Sequence, residues 1–146
     1  MVKDKQLKNL KNNKGEMKSN TISRSIRMRN LNQDQASNFA ANIMIFKTIV
    51  NNALIFGIRN KVKYIVVEQF GVDISAVTED SKLKTGFGEK DSLELVELLQ
   101  ALEDAFFSDK SQYPNGIPDE DAETLENASV GEVINYIVLK TLNIKL

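Results

Sequence analysis

The sequence contains no cysteine and no histidine in its 146 residues. Without cysteine there is no disulfide framework, no thiolate nucleophile and no thiolate metal site. Without histidine every His-based catalytic triad is excluded, and so is the usual side chain for acid–base work near neutral pH. Carboxylates and lysines remain, but the chain reads as a non-enzyme. If it handles acyl or redox chemistry, the reactive group must be brought to it. What is present suffices for one domain with a modest core, since 42% hydrophobic against 27% charged residues marks a foldable, soluble chain.

Acidic residues are scarce in the first part of the chain and crowded in the second. Residues 1–63 hold 13 Lys and Arg against 3 acids (Asp4, Glu16 and Asp34), a balance of +10. Residues 64–146 hold 6 Lys against 17 acids, a balance of −11. Such asymmetry predicts two functional parts, a basic arm and an acidic body. Residues 1–35 have few large apolar side chains and should not pack alone, reading as a solvated tail or a targeting segment. Within them Met17 to Asn30 has four Lys or Arg, three Ser and no acid, a composition that suits an organellar transit peptide. No aromatic residue interleaves these cations, so the arm is not expected to bind nucleic acid.

Residues 36–58 are apolar, with Phe39, Ile43, Phe46, Val50 and Ala53 recurring at helical steps. This predicts an amphipathic helical extension. No membrane span is expected, because Lys47 lies mid-stretch and a central Lys costs about 2.5–3.5 kcal/mol on insertion scales. No secretory signal fits the long Lys-rich start. From Arg59 onward Val62, Ile65, Val66 and Phe70 form a helical stripe that ends at Gly71. A second helix opens at Asp91, with Val96, Leu99, Leu102 and Phe106 as its apolar face, broadened by Leu95 and Leu98. Its opposite face is acidic. A short helix should follow Pro118, and a last one opens at Ser129 with Glu132 in capping-box spacing, burying Val130, Val133, Ile134 and Ile137. No stretch alternates as a strand would. The expected fold is all-α, a small antiparallel four-helix bundle over 59–146 with the N-terminal extension.

Asp91 and Glu94 read locally as N-cap and N3 partner of the second helix, worth about 1 kcal/mol together. That leaves Ser92 unexplained. It falls on the first turn, where free backbone N–H groups and the helix dipole favour an attached anion. Nothing nearby can activate its hydroxyl, so modification by another enzyme is the consistent chemistry.

The run from Asp91-Ser92-Leu93-Glu94 through Val96-Glu97-Leu98 and Ala101-Leu102-Glu103 to Phe106 resembles the second helix of acyl carrier proteins. Ile117-Pro118-Asp119-Glu120-Asp121-Ala122-Glu123 is similar to the family's Ile-Pro-Asp-x-Asp-Ala-Glu stretch, and Val130 to Ile137 to its last helix. Val66 to Val72 and Val77 to Ser81 resemble its first helix and following loop. The resemblance covers roughly residues 59–140 and rests on separate blocks in the family's order. It departs at Lys90, where the approach to Asp91 has one residue more, and in a longer loop between Phe106 and Ile117.

The resemblance implies 4′-phosphopantetheine in phosphodiester linkage to Ser92, flanked by Asp91 and Leu93, installed by a separate phosphopantetheinyl transferase. It implies acyl chains held in the core, with Phe70, Leu98, Leu102, Phe106, Ile117, Ala122 and Ile137 as candidate lining; ordinary core packing explains the same list. It implies docking of fatty acid synthesis enzymes on the acidic second helix, through Glu94, Glu97, Glu103 and Asp104, with Asp119, Asp121 and Glu123 as a second cluster. Taken singly, each is equally a solvated acid, since exposed pairs contribute only about 0.2–1 kcal/mol. The expected compartment is the mitochondrial matrix, the plastid and bacterial cytoplasm being the alternatives. The expected role is an acyl carrier for type II fatty acid synthesis. The alternative is a structural subunit of an assembly such as respiratory complex I, docked to a Leu-Tyr-Arg-motif protein.

Overall fold

In a computed structural model, which describes residues 32–146, four α-helices and one 3-10 turn account for 67% of those residues, and no strand forms among them. The helices are α1 (Gln33–Phe70), α2 (Ser92–Phe106), α3 (Asp119–Glu126) and α4 (Val130–Leu142). All but the end of the basic segment expected over 1–35 lies outside the described residues. Two compact units divide between Ile49 and Val50.

The described part of the first unit is the opening of α1. It starts at Gln33 rather than at residue 36, because Asn32 and Gln35 cap it reciprocally. Asn32 Oδ1 accepts from the Gln35 N–H at 2.8 Å, and Gln35 Oε1 accepts from the Asn32 N–H at 3.4 Å. Phe39, Ile43, Phe46 and Ile49 are all exposed. The helix also runs through Arg59 without a break, where the sequence pattern changes. No proline interrupts it, and the one internal glycine, Gly57, costs only about 1 kcal/mol.

The second unit is built on a continuous apolar core. Val62 and Val66 of α1, Leu98 and Leu102 of α2, and Val130, Val133, Ile134, Ile137 and Val138 of α4 are almost inaccessible. Each such side chain gains about 1.5–3 kcal/mol by leaving water. The register of α2 differs from the one expected. Leu95, Leu98, Leu99 and Leu102 face inward, while Val96 is 53% exposed and Phe106 is half-buried. The apolar positions of this helix are dense enough to support two registers, and the one centred on four leucines buries more. The capping box of α4 forms as its spacing predicts, with Ser129 Oγ accepting from the Glu132 N–H at 3.2 Å and Glu132 Oε2 from the Ser129 N–H at 2.9 Å.

Two loops position α2. The first, residues 71–90, leaves α1 at Gly71, whose φ of 64° is the left-handed conformation a helix end calls for. It is tied to the α3–α4 junction by backbone bonds: Leu83 N–H to Ala128 O at 3.0 Å, Val130 N–H to Ser81 O at 2.9 Å and Gly131 N–H to Glu79 O at 2.8 Å. Leu83 is buried beneath them. The second, residues 107–118, is folded rather than loose. Phe107 is buried, Tyr113 packs edge-on against it at 5.0 Å between ring centroids, and the Gly116 N–H closes a turn on Tyr113 O at 3.0 Å.

Candidate functional site

Ser92 is the first residue of α2 and is exposed. Immediately before it, Asp91 caps the helix, its Oδ1 accepting from the Glu94 N–H at 2.8 Å while Glu94 Oε2 accepts from the Asp91 N–H at 3.1 Å. The cap thus occupies both carboxylates and leaves the Ser92 hydroxyl without a hydrogen-bond partner among the described residues. Leu93 beside it is 65% exposed, a costly setting for a large apolar side chain unless something covers it.

Four and seven residues beyond Ser92, on the same face of the helix, stand Val96 and Leu99. They form one wall of a cleft of about 360 Å³, closed on the other side by Ile117, Ala122 and the α3 acids Asp119 and Glu123. Gln100, Glu103 and Glu126 complete its lining, so a cleft of mixed apolar and acidic character lies along the face that Ser92 heads. Of the seven residues expected to line an acyl pocket, Ile117 and Ala122 line this cleft. The others do not. Leu98, Leu102 and Ile137 are sealed in the core. Phe70 packs on Phe87 at 5.6 Å between centroids, and Phe106 lies under the Lys61 ammonium at 5.2 Å. Val96 and Leu99 were in the apolar pattern but not among the expected lining; their spacing from Ser92 was the available signal.

Lys90, the cation next to the site, does not point at Ser92's solvent side unneutralised. Its ammonium lies 3.6 Å from Glu94 Oε1 and 4.8 Å from the Phe70 ring centroid, with its stem largely buried. The acids expected to form a docking surface divide into two kinds. Glu103 faces inward in part: Lys110 Nζ donates to its Oε1 at 3.0 Å and the Ile117 N–H to its Oε2 at 3.3 Å, so it pins the 107–118 loop to α2. The Lys110 hydrogen bond, helped by Ile117 and opposed by partial burial, holds its carboxyl below the usual range. Asp121 accepts the Tyr136 hydroxyl hydrogen at 2.7 Å and lies 3.9 Å from Lys140. Burial and that Asp121 contact push the Tyr136 phenol well above its ordinary value. Asp104 accepts from Gln100 Nε2 at 2.9 Å.

Of the acids expected to dock partners, Glu97, Asp119 and Glu123 have no side-chain partner among the described residues and stay open to an outside cation. Among those residues there is also no cluster of acids arranged to hold a metal ion. No family model matches the sequence.

Proposed function

We propose that the protein is an acyl carrier, with its four helices arranged as an antiparallel bundle and a 4′-phosphopantetheine arm esterified to Ser92. The observation that carries this reading is the unpartnered Ser92 hydroxyl at the head of a helix face whose Val96 and Leu99 line a cleft of mixed apolar and acidic character. The site fits the group. Asp91 and Glu94 satisfy each other, so the Ser92 oxygen stays available to a transferase, and the N-terminal end of α2 favours a phosphodiester anion there. When bound, the arm supplies the thiol that a chain without cysteine lacks, and holds acyl groups as thioesters.

The chain's own residues do the rest. Val96, Leu99, Ile117 and Ala122 offer apolar surface that excludes water from a hydrocarbon chain. Glu97, Asp119 and Glu123 present negative charge to basic partner enzymes, raising encounter rate more than affinity. Glu103 and Asp121 hold structure and are not free to serve the same purpose.

The reading is tested by incubating the purified chain with coenzyme A, Mg²⁺ and a phosphopantetheinyl transferase of broad specificity. One phosphopantetheine should be gained in the intact mass, and none in Ser92→Ala. Gain of the arm by Ser92→Ala, or no gain by the unaltered folded chain, overturns the proposal.

A further inference from the structure

We infer that residues 39–54 of α1 lie in the plane of an anionic lipid membrane surface as an interfacial anchor. α1 contains an 18-residue stretch of mean hydropathy 1.5, only 6% of it buried within the protein. Phe39, Ile43, Phe46, Ile49, Val50 and Leu54 are each 40–69% exposed. At about 100° per residue all six fall within an arc of about 140°. Asn51, Thr48 and Asn52 fall on the arc opposite, and Lys47 stands at its edge beside Leu54. Asn42 on the apolar side, and Met44 and the exposed Ile45 on the polar side, depart from this division. A helix with one broad face of phenylalanine, isoleucine, valine and leucine, a lysine at its edge and most of its asparagines behind is shaped to lie at an interface.

The occupant follows from charge. Residues 1–31, immediately upstream, hold 9 Lys and Arg against 2 acids. A surface of anionic lipid attracts that segment, and it repels residues 64–146 with their balance of −11. A protein groove or a second copy of the chain would cover the apolar arc but leaves the upstream cations without a role. The orientation follows from Lys47. In a span it sits at mid-membrane, whereas in the plane it borders the apolar arc next to Leu54 and reaches the headgroups. The inference does not depend on Ser92 or on the acyl-carrier reading.

The test is flotation of the full-length, unmodified chain with phosphatidylcholine vesicles containing phosphatidylglycerol, against phosphatidylcholine alone. The chain should float with the anionic vesicles, with binding falling roughly tenfold or more without phosphatidylglycerol or at high salt. Carbonate at high pH should release it. Phe46→Ser with Ile49→Ser should weaken binding on the order of a hundredfold. Asn51→Ser with Asn52→Ser should leave it unchanged. Phe46, Ile49 and Asn52 are exposed and Asn51 is half-buried, so a common thermal midpoint confirms that the body is intact. Absence of flotation, equal loss in the two variants, or resistance to carbonate overturns the inference. So does a dimer in solution that Phe46→Ser with Ile49→Ser converts to monomer, since the face then belongs to a second copy.

Discussion

Ser92 and Glu103 show how differently two polar residues on one helix can be used. Ser92 carries no structural duty, so Ser92→Ala should shift the urea midpoint by no more than about 0.5 kcal/mol equivalent while abolishing modification. Glu103 looks in the sequence like one more acid on a negative face, yet its carboxylate anchors Lys110 and Ile117 across a loop. A Cβ at Gly116, whose φ is 55°, would run into that carboxylate. Glu103→Gln should therefore cost about 1 kcal/mol in urea unfolding, more than an isolated exposed acid would. Its pH dependence has a definite sign. A carboxyl held below its ordinary value of 4.5 contributes stability that is complete above that pH and is lost as pH falls through the lowered pKa. Glu103→Gln should flatten this part of the stability profile, which acid titrations of the two proteins would show.

At the scale of the element, α2 begins with a cap and continues as a wall. Asp91→Asn keeps an oxygen for the Glu94 N–H, whereas Asp91→Ala removes it. The first should be near neutral and the second should cost about 1 kcal/mol in thermal unfolding. If both were equally destabilising, the charge and not the cap would be holding the helix end. The cleft between α2 and α3 allows a second test. Ala122→Phe fills it from the exposed side, so an acyl chain attached through Ser92 should no longer raise the thermal midpoint as it does in the unaltered protein. The starts of α2 and α4 were legible in the sequence from a cap residue and an acidic partner three apart, at Asp91 and Ser129, whereas the Asn32–Gln35 cap of α1 was not read. The face of α2 was not. Its apolar positions admit two registers, and tertiary packing chose the one that buries Leu95, Leu98, Leu99 and Leu102 and leaves Val96 to the cleft. The continuity of α1 past Arg59 was hidden because a change of composition there looked like a change of element.

For the molecule as a whole, the dominant feature is opposite charge at the two ends of the sequence, and this was plain from the residues alone. What the sequence did not reveal is which acids are spoken for. Asp121 and Glu103 are drawn into the fold by Tyr136, Lys140 and Lys110, whereas Glu97, Asp119 and Glu123 stay among the outward charges. Glu97→Lys should accordingly slow arm installation by a transferase, with the effect shrinking as salt screens the encounter, and with no change in stability. Glu97→Gln should show a smaller loss in the same direction.

The claim on which the account turns is covalent chemistry at Ser92. The most direct measurement is the intact mass of the protein isolated from the cells that make it, followed by peptide mapping. The mass of one phosphopantetheine, with or without an acyl chain, should be found on the peptide that contains Ser92. A native protein of unmodified mass, or one carrying the arm on another residue, would contradict it.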